Sequence, residues 1–215
     1  MLKLYTYYRS SAAYRVRIGL QLKQLAYASI PIHLARNGGE QLQDAYRAIN
    51  PGALVPCLQD GETTLSQSLA ILEYLDEKHP QKPLLPADAA GRARVRALAL
   101  IVACDIHPIN NLRVLKYLSS ELAIADEART RWYRHWVEEG LRVIEAHLTR
   151  DAQSGAFCHG DTPGLADCCL IPQVFNARRF KVDLNPYPLI VAIAARCADL
   201  PEFAAAHPDR QADAE

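Results

Sequence analysis

The chain carries no surplus charge, no paired-cysteine motif and no long apolar run, and each absence removes a class of function. Lys and Arg total 24 and Asp and Glu total 24, so the formal net charge is zero. That balance excludes a nucleic-acid or membrane-surface protein held by bulk electrostatics, while leaving room for a local basic pocket. The six cysteines (Cys57, Cys104, Cys158, Cys168, Cys169 and Cys197) form no C-x-x-C pair and no zinc-like spacing, which predicts no metal site. Most lie in apolar stretches, where a free thiol is a small hydrophobe, and they point to a reducing, cytoplasmic setting. The longest uninterrupted apolar run, Ala97 to Cys104, is far too short to span a bilayer. Met1 to Tyr5 lacks the apolar core of a signal peptide. Repeats and low-complexity tracts are absent too. What remains, half apolar and 22% charged over 215 residues, is ordinary for a globular protein of one large or two small domains.

The first eighty residues alternate two periodicities. Leu2–Tyr8 reads as a strand, Ala12–Lys23 as a helix and Tyr27–Ile32 as a second strand. Gln41–Ile49 reads as a short helix, Val55–Leu58 and Thr63–Leu65 as a hairpin, and Ser68–Lys78 as a helix. This βαβ-α-ββα order predicts a small mixed sheet flanked by helices, an α/β domain over 1–82. Proline-rich residues 79–86 read as a linker. An all-α domain over 88–210 follows, with helices predicted at Arg92–Leu118 (kinked at Pro108), Asp126–Leu148, 164–177 and 188–197, and a loose tail from His207.

Pro56 stands at the head of the third strand. Proline cannot donate to a ladder, so this position implies an edge or a special backbone shape. Val55-Pro56 is either a trans bond opening an edge strand or a cis bond. The cis form would turn the chain and leave the Val55 amide and carbonyl free for a ligand's backbone.

This order of elements, with a proline after the second helix and an all-helical second half, resembles the cytosolic glutathione transferases over nearly the whole chain. Arg9-Ser10-Ser11-Ala12-Ala13-Tyr14-Arg15-Val16-Arg17 resembles the S-S-C-x-[WY]-R-V-R signature of the zeta class; Gln67–Ile71 and Asn176–Leu184 fit as well. The resemblance implies a thioredoxin-like domain that binds glutathione and a homodimer. It also implies cis–trans isomerisation of maleylacetoacetate to fumarylacetoacetate, a step of tyrosine degradation, or the same chemistry on maleylpyruvate. A general transferase or dehalogenase of small α-halo acids is a further reading, and a non-catalytic thioredoxin-like adaptor is the rival from another class. Ala12 replaces the usual cysteine, which argues against a disulfide exchanger.

In that frame Ser10, and after it Ser11, would hold the glutathione sulfur as thiolate, aided by the positive end of the first helix; the other serine would hold substrate or cap the helix. Val55, ahead of Pro56, would pair with the tripeptide backbone. Gln67 and Ser68 would meet its γ-glutamyl carboxylate, and Gln41 its glycine end. His107 and Asn111 would contact glutathione from the helical domain. Arg9 and Arg179 would bind the carboxylates of a small dicarboxylate substrate, since the guanidinium fork matches that group. Arg15 and Arg17 are expected to be structural, in inter-domain or surface pairs. Asp167 is expected to cap a buried helix, with Gly164 at the capping position and Thr162 as the alternative hydroxyl.

Overall fold

A computed structural model describes all residues, Met1–Glu215. Two compact units result, Met1–Leu84 with Ala198–Glu215, and Leu85–Cys197. In the first, strand β1 (Leu2–Thr6) is central: it runs parallel to β2 (Tyr27–Pro31) and antiparallel to β3 (Cys57–Asp60), which pairs antiparallel with β4 (Thr63–Ser66). The spatial order is β2-β1-β3-β4. Leu2, Leu4 and Thr6 are buried while Lys3 is exposed, the alternation expected of a strand packed chiefly on one face. Helix α1 (Ser11–Leu22) crosses from β1 to β2, α2 (Asp44–Arg47) is a single turn, and α3 (Ser68–Lys78) follows β4. The predicted helix over Gln41–Ile49 divides into a 3₁₀ turn, Glu40–Leu42, and α2.

Glycine at position 19 lets α1 approach α3, because a Cβ there would meet Leu72 Cδ2 at 2.1 Å. At the end of α1, the buried Lys23 Nζ pairs with Asp76 of α3 at 2.8 Å. Lys23 also donates to the Gln81 and Lys82 carbonyls, and Asp76 accepts from the Leu84 amide. All three ammonium protons are thus bonded and Asp76 Oδ1 accepts twice, the kind of additional bonding under which burying an ion pair is tolerated.

The second unit is helical: α4 (Ala89–Leu100), α5 (Leu112–Ser120), α6 (Asp126–Arg150), α7 (Leu165–Arg179) and α8 (Pro188–Ala198). The predicted Arg92–Leu118 helix is not one rod. Between α4 and α5 lie a π-helical stretch, Ile101–Ile106, and a 3₁₀ turn, Pro108–Asn110. The His107 amide bonds to the Val102 carbonyl, five residues back, and Pro108 has no amide with which to continue the ladder. Ala89–Ser120 has the length and composition of a membrane span. Its Val95, Leu98, Val102 and Ile106 are nonetheless core residues, and α4 packs on α7. Asp167 caps as expected: one carboxylate oxygen accepts from the Gly164 amide at 2.9 Å and the other from the Cys158 amide at 3.0 Å. Gly164 is the capping residue and supplies no side-chain bond. Glu145 of α6 accepts from the Leu189 and Ile190 amides at the start of α8.

The chain then returns to the first unit. Helix α9 (Pro201–Ala206) packs on α1, and a 3₁₀ turn, Pro208–Arg210, leads into a docked segment rather than a loose tail. The expected second-domain range of 88–210 thus differs from the compact unit, because Phe203 and Ala206 find their apolar cover in the first unit. Arg17 is the polar reason. It is fully buried, and within the first unit it donates from Nε to the Ala206 carbonyl (3.0 Å). From its two Nη atoms it donates to Thr6 Oγ1 (3.1 Å), the Tyr7 carbonyl (3.3 Å) and the Tyr8 carbonyl (2.9 Å). Arg15 is buried as well, so both arginines are structural as expected, but in the core and not in surface pairs. Removing the guanidinium would leave the Tyr8 and Ala206 carbonyls without a donor, while the Tyr7 carbonyl would keep only the Ser10 amide. Arg17→Leu should lower unfolding free energy by about 3 kcal/mol or more, read as a fall in the urea midpoint; a loss under about 1 kcal/mol would contradict this role.

Candidate functional site

Strand β1 stops at Thr6, two residues before the sequence reading, because the Tyr7 and Tyr8 carbonyls turn away from the ladder to Arg17. The loop so formed carries Arg9 and Ser10. Ser10 is the N-cap of α1: its backbone is extended and its Oγ accepts from the Ala13 amide at 3.2 Å. Capping occupies an oxygen lone pair, not the hydroxyl proton, which stays available as a donor. Ser11 is the first helical residue and is buried. Arg9 donates from Nη2 to Tyr7 Oη at 3.0 Å and lies over the Tyr8 ring, 5.1 Å from its centroid. The Tyr7 hydroxyl holds the Arg9 guanidinium above its usual pKa, so its charge is secure.

The Val55-Pro56 bond is cis. The strand begins only at Cys57, two residues later than predicted. The turn before it is clamped from one side: Leu54 O accepts from Tyr46 Oη at 2.7 Å and from Asn50 Nδ2 at 2.8 Å, and Asn50 Oδ1 takes the Gly52 amide at 3.1 Å. Neither the amide nor the carbonyl of Val55 has a hydrogen-bond partner within the chain. Tyr46, Val55, Cys57, Tyr7 and Tyr8 share one buried cluster, so the turn and the β1–α1 loop rest on common packing. Tyr46 and Asn50 escaped sequence reasoning. An asparagine directly ahead of Pro-Gly was the available signal, since such a side chain folds onto nearby backbone.

Two further pieces border this region. Gln67, at φ +70°, precedes α3, whose first residue is the buried Ser68. No acidic residue occupies the first turn of α3, and the Ser68 hydroxyl accepts from Arg15 Nη1 at 3.2 Å. Gln41 is buried with its Oε1 unbonded. A buried acceptor in that state normally costs free energy, so it invites a donor from outside the chain.

In the helical unit, His107 and Asn111 flank the 3₁₀ turn and their side chains meet at 3.3 Å. Asn111 caps α5 through Oδ1, which accepts from the Arg113 amide at 3.2 Å. Arg179 is exposed near the end of α7, its guanidinium 5.4 Å from the centroid of the Phe180 ring. That ring stacks on Tyr133 at 3.6 Å, and the Phe180 carbonyl accepts from Arg134 Nε at 2.8 Å. Arg179 pairs with no carboxylate.

The chain's own thiols are poor nucleophiles. All six cysteines are free and only Cys104 is exposed. Burial pushes the Cys57 thiol up to about 11, and burial also raises Cys158, Cys168 and Cys197. Thiolate chemistry near the β1–α1 loop therefore needs a sulfur from elsewhere.

Family models for the glutathione S-transferase N-terminal and C-terminal domains match residues 4–83 and 126–207. The chain is 53% identical over 211 residues to a Vibrio cholerae protein named "Probable maleylacetoacetate isomerase", covering 98% of this chain and 97% of that one. It is 50% identical to a maleylpyruvate isomerase of a Ralstonia species, covering 99% of each. A crystal structure of maleylacetoacetate isomerase from Methylobacterium extorquens, with bound malonate and glutathione, superposes with a TM-score of 0.95 at 40% identity over 99% of both chains.

The thiol environments yield a direct check. A disulfide reagent applied to native protein at mildly alkaline pH should titrate one fast thiol, Cys104, and all six only after denaturation. Fast reaction at Cys57 would show that burial does not silence it.

Proposed function

Since the chain belongs to the glutathione S-transferase family, on its zeta-class branch, we propose that it is a glutathione-dependent cis–trans isomerase of maleylacetoacetate. The observation that carries this reading is the unpaired Val55 peptide edge next to the Tyr46–Asn50 clamp, packed in one cluster with Tyr7 and Tyr8, which lead to the capping Ser10. An isolated γ-glutamyl tripeptide has the groups such an edge lacks. The unbonded Gln41 Oε1 and the acid-free start of α3 support the same ligand.

When bound, glutathione supplies the thiol whose sulfur adds to the conjugated cis double bond, permits rotation, and leaves again. The chain's part is binding, orientation and charge. Val55 pairs with the tripeptide backbone through its amide and carbonyl, while Pro56 shapes the turn. Gln67 and Ser68 receive the γ-glutamyl carboxylate at the start of α3, where a helix N-terminus favours an anion. Gln41 takes the glycine end. Ser10 keeps its oxygen on the Ala13 amide and directs its proton at the sulfur, and the first turn of α1 favours negative charge there. Ser11, inside that turn, supports the same position. Arg9 and Arg179 take the two carboxylates of the substrate. His107 and Asn111, whose side chains meet at 3.3 Å, contact glutathione as well. The same reading takes the active form to be a cytosolic homodimer, in keeping with six free thiols.

Maleylpyruvate is the second candidate substrate, favoured by the 50% identical Ralstonia relative. An absorbance assay with each maleyl compound, with and without glutathione, separates the two. Turnover should require glutathione and be faster on maleylacetoacetate; equal rates without the tripeptide would end the reading, and silence with both substrates would favour a binding adaptor. Ser10→Ala should lower kcat roughly tenfold or more with an unchanged fold, whereas Arg179→Ala should chiefly raise KM for the dicarboxylate, also roughly tenfold. An unaltered kcat or KM would clear that residue of its role.

A further inference from the structure

The segment beyond α9 crosses the first unit as a strap. Pro208 is buried, Gln211 Nε2 donates to the Ala205 and His207 carbonyls, and the His207 ring meets Tyr14 edge-on. Further on, Asp213 Oδ2 accepts from the Tyr8 amide at 2.9 Å, across 205 residues of sequence. The Glu215 carboxylate engages Arg36 and lies 3.4 Å from His33 Nε2. His33 Nδ1 in turn accepts from the Ala35 and Arg36 amides, and Glu40 Oε2 accepts from the His33 amide.

Two loops are tied by these contacts. One is Tyr7–Ser10; the other is 33–40, which leads directly into Gln41. The Tyr8 amide falls after β1 has ended and before α1 begins, so neither ladder nor helix offers it an acceptor. Asp213 supplies one, while Arg17 takes the Tyr7 and Tyr8 carbonyls. The peptide groups just ahead of Arg9 and Ser10 are thus gripped through amide and carbonyls alike. The side chains continue the chain of contacts: Glu215 faces His33, the His33 ring meets Tyr7 edge-on at 5.0 Å, and Tyr7 Oη accepts from Arg9.

We propose that Gln211–Glu215 is a positioning strap for the β1–α1 loop, with Asp213 as the residue that sets Arg9 and Ser10 in place for ligand. The inference rests on the reading of Ser10 and Arg9 given above. A loop already held in its working shape binds without paying the ordering cost at the moment of binding, and a small displacement of a reacting group is expensive in rate.

The test compares Asp213→Ala with Asp213→Asn, which keeps an oxygen acceptor for the Tyr8 amide. Hydrogen exchange at Tyr8 should quicken in Asp213→Ala and stay slow in Asp213→Asn. In step with it, KM for the maleyl substrate should rise and kcat fall in Asp213→Ala, with kcat/KM down roughly tenfold, and Asp213→Asn should recover most of the loss. A merely structural role would lower the melting temperature and the active fraction but leave KM alone. Quickened exchange with unchanged kcat and KM would overturn the proposal, as would Tyr8 exchange that ignores the substitution. Absence of turnover in the wild type would end the isomerase reading by itself. Calorimetric titration with glutathione would then decide the strap: a roughly tenfold weaker Kd in Asp213→Ala sustains it, and an equal Kd sinks it.

Discussion

A guanidinium placed where no solvent reaches it organises the first unit. Burying an arginine is costly: burial, only partly offset by Tyr27, Tyr14 and Asp213, pushes the Arg17 pKa down to about 10. The cost is met because its donors reach the Tyr7, Tyr8 and Ala206 carbonyls and the Thr6 hydroxyl. The Tyr8 and Ala206 carbonyls have it as their donor, and the Tyr7 carbonyl shares it with the Ser10 amide. Between the end of β1 and the cap of α1 the backbone must be irregular, because Arg9 and Ser10 have to be presented rather than paired. Irregular backbone under a protein surface is stable only if side chains answer its polar groups. Arg17 answers the carbonyls and Asp213 the amide, and through Ala206 the last helix is drawn into the same arrangement.

The same economy of polar groups runs through the turn at 50–56. Tyr46 and Asn50 satisfy Leu54, and satisfaction stops there, one residue short of Val55. At Gln41 too, a buried acceptor lacks its donor. Fully folded proteins rarely leave such groups unanswered. Their grouping in one unit with the positive end of α1 is what an anionic peptide ligand would complete. The buried, protonated thiols belong to this logic as well: Ala12 removes the one sulfur that would compete with a borrowed one at the helix N-terminus.

The alternation of strand and helix periods showed the βαβ-α-ββα order, and Ser68–Lys78 was legible to the residue because Gln67-Ser68 opens and His79-Pro80 closes it. Ser10 as a cap, Asp167 as a cap and the unusual Val55-Pro56 turn were legible too, since each depends on neighbours within a few residues. Less visible was the break at Ile101–Ile106. Its apolar spacing suits a helix, and the side chain of Ile106 occupies the space where Gly140 lacks a Cβ, a fit that involves a helix thirty residues away. Helix α9 and the strap were missed for a related reason: a six-residue helix and a polar tail have little periodicity of their own.

What the order of residues determined alone was local: which stretches are strand or helix, where helices start, and that alanine, not cysteine, stands at position 12. What only the folded chain decided was the partners of charged side chains. Arg15 and Arg17 look like surface residues in a list of amino acids and are core residues in space, and Asp213 finds the Tyr8 amide 205 positions away. Helix caps and turns are set by contacts between near neighbours and so can be read from sequence. A buried charge is set by whichever distant carbonyl or amide lacks a partner after the chain has closed on itself, and that is known only from the tertiary structure.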